Sequence, residues 1–139
     1  LIPKTFLGAM MKLGYILFYV DDVQKSMDFY KQAFDLEVGF LHESHQYGEM
    51  VTGGTKLGFV GHETAMSHQF EYTKSNIKEK PAAIEIALIS KNVEISYQKA
   101  IHAGAVGVSP PKEKPWGQVV SYVRDLNGNL VEICSEMSG

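Results

Sequence analysis

The sequence holds a single cysteine, Cys134, in 139 residues. That rules out a disulfide within the chain and suits a reducing, cytoplasmic setting. Long hydrophobic runs are also missing: none approaches the roughly 20 apolar residues that cross a bilayer as a helix, so no membrane partner is expected. Positive charge is not in excess either. Thirteen Lys and Arg are scattered among 16 Asp and Glu, for a net charge of −3, which argues against a nucleic-acid partner. A P-loop, a dinucleotide-binding glycine fingerprint, a Cys/His zinc cluster and a Ser-His-Asp spacing are all absent. What remains is an ordinary composition, 45% hydrophobic and 21% charged, long enough to bury a core as one domain.

Residues 1–9 precede Met10 and Met11, either of which serves as a start. Lacking the basic head and apolar core of a signal peptide, residues 1–10 read as a cloning remnant, upstream readthrough or a disordered head. Residues 14–20 then form a strand whose continuous apolar character predicts cover on both faces. Asp21 or Asp22 caps a helix over 25–34, where Val23, Met27, Tyr30 and Phe34 make one apolar stripe. Strands follow at 36–41, 47–52 and 56–60, with Gly53-Gly54 as the second turn. Residues 63–82 are polar, carry Lys74, Lys78 and Lys80, and show no convincing element. They read as a connector.

The second half repeats the first. A strand at 84–89 leads to the cap Asn92, the stripe Val93, Tyr97, Ala100 and Ile101, and then Gly104 where a helix-terminating glycine belongs. Shifted by 70 positions, Glu85 falls on Tyr15, Asn92 on Asp22, Val93 on Val23, Ser96 on Ser26 and Ala103 on Ala33. Each half therefore reads as β-α-β-β-β, module one over 11–62 and module two over 83–137. Residues 106–108 give the second strand of module two, and Pro110, Pro111 and Pro115 stiffen a loop into its closing hairpin.

That hairpin carries the most specific pattern: Trp116-Gly117, four residues, then Tyr122-Val123-Arg124-Asp125-x-x-Gly128-Asn129-x-x-Glu132-Ile133. Together with the paired modules it resembles the vicinal oxygen chelate superfamily, which includes glyoxalase I, bleomycin-resistance proteins and extradiol dioxygenases. The resemblance implies an α+β fold in which two βαβββ modules curve mixed sheets around a cleft, commonly completed by a homodimer. In the family's metal enzymes the first and last strands of each module supply the ligands. Those positions here are Tyr15, Gly58, Glu85 and Glu132, and Glu132 alone matches the expected type.

A phenol, a glycine and two carboxylates are a poor shell for a divalent ion, so no cofactor is expected. A shifted register would bring in His42, His45 or His62, each read as a solvated loop histidine. If Glu85 and Glu132 share one cleft, repulsion should raise one pKa and leave a shared proton, suited to a base or to gripping an amine or hydroxyl. Strand alternation puts Tyr15, Leu17 and Tyr19 on one face, which the resemblance turns to the cleft. Trp116, Tyr47 and Phe59 are candidates to join that aromatic lining. Tyr122 and Phe18 read as core, Cys134 as a small buried hydrophobe, and Arg124, Asp125, Asn127 and Gly128 as turn formers.

The leading expectation is a glyoxalase- or bleomycin-resistance-like protein that binds a small organic ligand without a complete metal site. The alternative is a lyase of the lactoylglutathione lyase type holding Ni, Zn, Mn or Fe through Glu85 and Glu132. A metal-free lyase or isomerase with either glutamate as base stands between them.

Overall fold

The computed structural model describes residues 9–137, so most of the expected head lies outside the described residues. Module one runs β1 (Tyr15–Val20), α1 (Val23–Phe34), β2 (Glu37–Leu41), β3 (Tyr47–Val51) and β4 (Lys56–Gly61). A short helix, α2 (His62–Met66), opens the connector, where the sequence suggested no element. Module two runs β5 (Glu85–Ile89), α3 (Val93–His102), β6 (Val106–Glu113), β7 (Val119–Arg124) and β8 (Leu130–Cys134). Each module forms a four-stranded mixed sheet, ordered β1-β4-β3-β2 and β5-β8-β7-β6, with one parallel pair joining its first and last strands. The same architecture arises twice, as the repeat requires.

Local chemistry explains the helices. The Asp22 carboxylate accepts from the Lys25 amide at the start of α1, and Asn92 does the same for Ile95 at the start of α3. Val23, Met27 and Tyr30 on α1, with Val93, Tyr97 and Ala100 on α3, are buried as their spacing predicts. Gly104, at φ +110°, follows α3 in a conformation that a side chain would strain. The expected proline loop is instead part of β6, which includes Pro110 and Pro111. An edge strand tolerates proline because no ladder donor is needed on its outer side, and the β6–β7 register shifts twice around these residues.

Each sheet lays one face on its helix, and the two modules pack α1 against α3 into one core. Module two's last turn is bolted to module one: Tyr30 Oη donates to Asp125 Oδ2 at 2.6 Å, and Asn127 Nδ2 donates to Ser26 Oγ at 3.2 Å. Lys99 of α3 pairs with Asp35 at the C-terminal end of α1. The face of each sheet away from the helices is open. Tyr15 and Leu17 are 54% and 43% exposed, and Ile89 is 65% exposed. Cover on both faces of β1 was therefore a wrong expectation: its apolar run pairs a core face, Ile16, Phe18 and Val20, with an uncovered one. No helix among the described residues is long and apolar enough to cross a membrane.

Candidate functional site

The open face of module two gathers the chemistry. β5 pairs with β8 so that Ala87 lies beside Glu132, which puts Glu85, Glu132 and Cys134 on one face, and β7 adds Tyr122 directly opposite Glu132. Loss of surrounding water, then the neighbouring Glu132 carboxylate, holds Glu85 above the ordinary carboxylate range. The two carboxyl groups are neighbours on this face, and their mutual repulsion adds to the desolvation of Glu85. Tyr122, expected in the core, instead stands beside this pair, and its phenol is pushed upward by desolvation and by Glu132. The buried Cys134 thiol is raised to about 11 by burial and by Glu132, and Gln118 contacts it. Such a thiol is inert at neutral pH.

Trp116 stands past the Cys134 end of the sheet. Its Nε1 donates to Gln118 Oε1 at 2.9 Å, and Gln118 Nε2 donates to the Ser135 carbonyl at 2.8 Å. Its ring is exposed.

Module one's open face carries Tyr15, Leu17 and Tyr47, together with a residue the sequence reading missed. Glu49 lies opposite Gly58, with Tyr47 Oη donating to it at 2.6 Å and Lys56 Nζ at 3.4 Å. Desolvation and Glu49 together raise the Tyr47 phenol. Gly58 occupies the position matching Glu132, since Leu17–Gly58 in one module corresponds to Ala87–Glu132 in the other. Its missing side chain leaves room for this cluster: a Cβ there would meet Leu17 Cδ2 at 2.8 Å and Tyr47 Oη at 3.5 Å. A signal for Glu49 was present, because a hairpin turning at Gly53-Gly54 sets it opposite Gly58.

Other candidates fall elsewhere. Phe59 is fully buried against Tyr30 and Phe18, on the helix side of β4, and so lines no cleft. Alternation decides this: its neighbours Gly58 and Val60 share the other face. Tyr19 is capped by the ring of Tyr72 from the connector, 4.9 Å away edge to face. His62 is not a solvated loop histidine. It is buried, with Nδ1 2.7 Å from Tyr72 Oη and Nε2 3.5 Å from Asp21, whereas His42 and His45 are exposed in the β2–β3 turn.

The four positions at which the family's enzymes hold metal do not converge in one chain. Tyr15 and Gly58 belong to one sheet, Glu85 and Glu132 to the other, and among the described residues no three His, Cys, Asp or Glu side chains are grouped to hold an ion. Two carboxylates and a phenol are also the wrong donor set for a firm site. The residues present do not fit the metal.

Paired βαβββ modules, each a four-stranded mixed sheet, are the architecture of the vicinal oxygen chelate class, and sequence comparison agrees. The glyoxalase-like domain family matches residues 13–138, and the chain belongs to it. It is 29% identical over 124 residues to the uncharacterized protein YraH of Bacillus subtilis strain 168, covering 88% of this chain and 97% of that one. Among solved structures, a glyoxalase-related enzyme from Fulvimarina pelagi superposes with a TM-score of 0.77 at 19% identity, over 91% of this chain and 88% of the other. A glyoxalase/bleomycin resistance protein/dioxygenase family enzyme from Burkholderia phytofirmans PsJN gives 0.69 at 26% identity, over 90% and 98%.

Proposed function

We propose that this protein binds a small organic ligand bearing hydroxyl or ammonium donors, without a resident metal, in a cytoplasmic homodimer. The cleft lies between module one of one copy and module two of its partner. The observation that carries this reading is the Glu85–Glu132 pair set side by side on an open sheet face, with Glu85 held above the ordinary carboxylate range. Two adjacent carboxyls offer acceptors to an amine or a polyol, and a donor as well whenever one of them is protonated. The uncovered apolar side chains, Tyr15 and Leu17 on one sheet and Ile89 on the other, supply walls that a second copy would close. Glu49 and Tyr47 add polar groups on the facing wall.

A second reading, a metal-free lyase or isomerase, draws on the same raised carboxyl. A base poised nearer neutrality abstracts a proton more effectively than an ordinary glutamate. The metal-dependent lyase finds no support in the donor set.

Trp116 is the sole tryptophan and sits on module two, so its fluorescence reports ligand binding there. Phenethylamine and catechol, titrated into the full chain, should quench or shift it saturably, and Glu132→Gln should weaken both about tenfold, the scale of one charge-assisted hydrogen bond. Binding indifferent to Glu132→Gln would contradict the proposal.

A further inference from the structure

The connector builds a feature that the glutamate pair does not use. After α2 the chain lays a ladder of rings along module one. Tyr72 packs its edge on Tyr19 and stacks on His62 at 5.7 Å with planes 15° apart. Phe70 follows 6.3 Å from Tyr72, and His68 stacks on Phe70 at 6.1 Å and 8°. The ladder is fixed from below, because both ring nitrogens of the buried His62 are engaged, one by Tyr72 and one by Asp21. Its upper side is bare: Met66 and Phe70 are 53% and 51% exposed. With Glu71, Thr73 and Lys74 these residues line an open groove of about 620 Å³, within the roughly 300–1,000 Å³ of small-molecule sites.

Charge gives the groove a direction. Lys74 makes no hydrogen bond or ion pair among the described residues. Lys74, rather than Glu71, is the connector charge felt by His62, whose pKa is lowered by burial and then by this ammonium, against the opposing Asp21. Glu71 and Lys74 both line the groove, neither in an ion pair among the described residues, and the Lys74 ammonium is the one that acts on His62 beneath the ladder. A cationic ligand would meet repulsion there, whereas an anion would find its partner beside two ring faces and a polarizable thioether.

We propose that this groove is a second small-molecule site, distinct from the Glu85–Glu132 pair, that takes a flat aromatic anion with its ring on Phe70, Tyr72 and Met66 and its acid group on Lys74. The site stands whether or not the Glu85–Glu132 reading holds.

Naphthalene-2-sulfonate is a suitable probe, titrated into the full chain carrying methyl-¹³C methionine. The Met66 methyl should shift saturably while the buried Met27 and Met50 stay still. Lys74→Gln, or replacing the probe with neutral 2-naphthalenemethanol, should weaken binding about threefold, the scale of an exposed ion pair, and added salt should weaken the sulfonate similarly. Phe70→Ala should cost about tenfold through lost stacking and burial. No saturable Met66 shift at millimolar probe would overturn the proposal. So would equal affinity for the sulfonate and the alcohol, or a loss caused by Tyr15→Ala with Phe70→Ala silent.

Discussion

The phenol of Tyr30, on the first helix, donates a 2.6 Å hydrogen bond to the carboxylate of Asp125, 95 residues away in the turn before the last strand. Asp125 is almost wholly buried and also accepts from the amides of Asn127 and Asn129, both at 2.9 Å, and from the Asn129 side chain. One carboxylate therefore shapes the turn and ties module two to module one.

Tyr30→Phe removes one donor from a buried charge while keeping the ring. It should destabilise the chain by about 1.5–3 kcal/mol, the scale of a hydrogen bond to a charged group, read as a lower urea midpoint with both modules unfolding together.

Glu85 has a folded pKa above its unfolded value, raised by desolvation and then by Glu132. Its contribution to stability is complete below the unfolded value of about 4.3 and is lost as pH rises through the folded one. Glu132→Gln should lower the Glu85 midpoint, followed by carboxyl ¹³C shifts, and should flatten the loss of stability across that window.

Gly58→Ala puts a methyl into the space between Leu17 and Tyr47, 3.1 Å from the Gly48 carbonyl oxygen. The overpacking should cost about 1–2 kcal/mol in thermal or urea unfolding and should loosen the Tyr47–Glu49 bond.

Arg124 spends its guanidinium on backbone carbonyls: Gly128 in its own turn, and Asn76, Ile77 and Glu79 in the connector. Arg124→Ala should free the connector locally, so trypsin should cut after the exposed Lys74 and Lys78 several times faster than in the parent.

The elements were legible because their signals are local. The Val23–Met27–Tyr30 spacing, the caps Asp22 and Asn92, and the offset that lays Asn92 on Asp22 lie within short windows. Arg124 and Asp125 read as turn formers, which they are, but no local pattern reveals carbonyls some 45 positions upstream or a phenol on the first helix. Phe59 and Gly58 differ by one position and so by a whole face, and the helix decides which face is core. Tyr122 has the composition of a core residue, yet the register that sets it opposite Glu132 makes it part of the candidate site. His62 looked like a loop residue because the ring that buries it, Tyr72, belongs to a segment without periodicity.

Thermal unfolding of metal-stripped protein with and without Ni²⁺, Zn²⁺, Mn²⁺ and Fe²⁺ separates a cleft that binds its ligand without a metal from one built around an ion. An ion at 100 times its dissociation constant adds about 2.7 kcal/mol, several degrees at roughly 2–8 °C per kcal/mol for a domain of this size. No such rise is expected with any of the four ions, for wild type and Glu132→Gln alike. A rise of several degrees that Glu132→Gln abolishes would contradict the metal-free cleft and place a metal on the carboxyl pair.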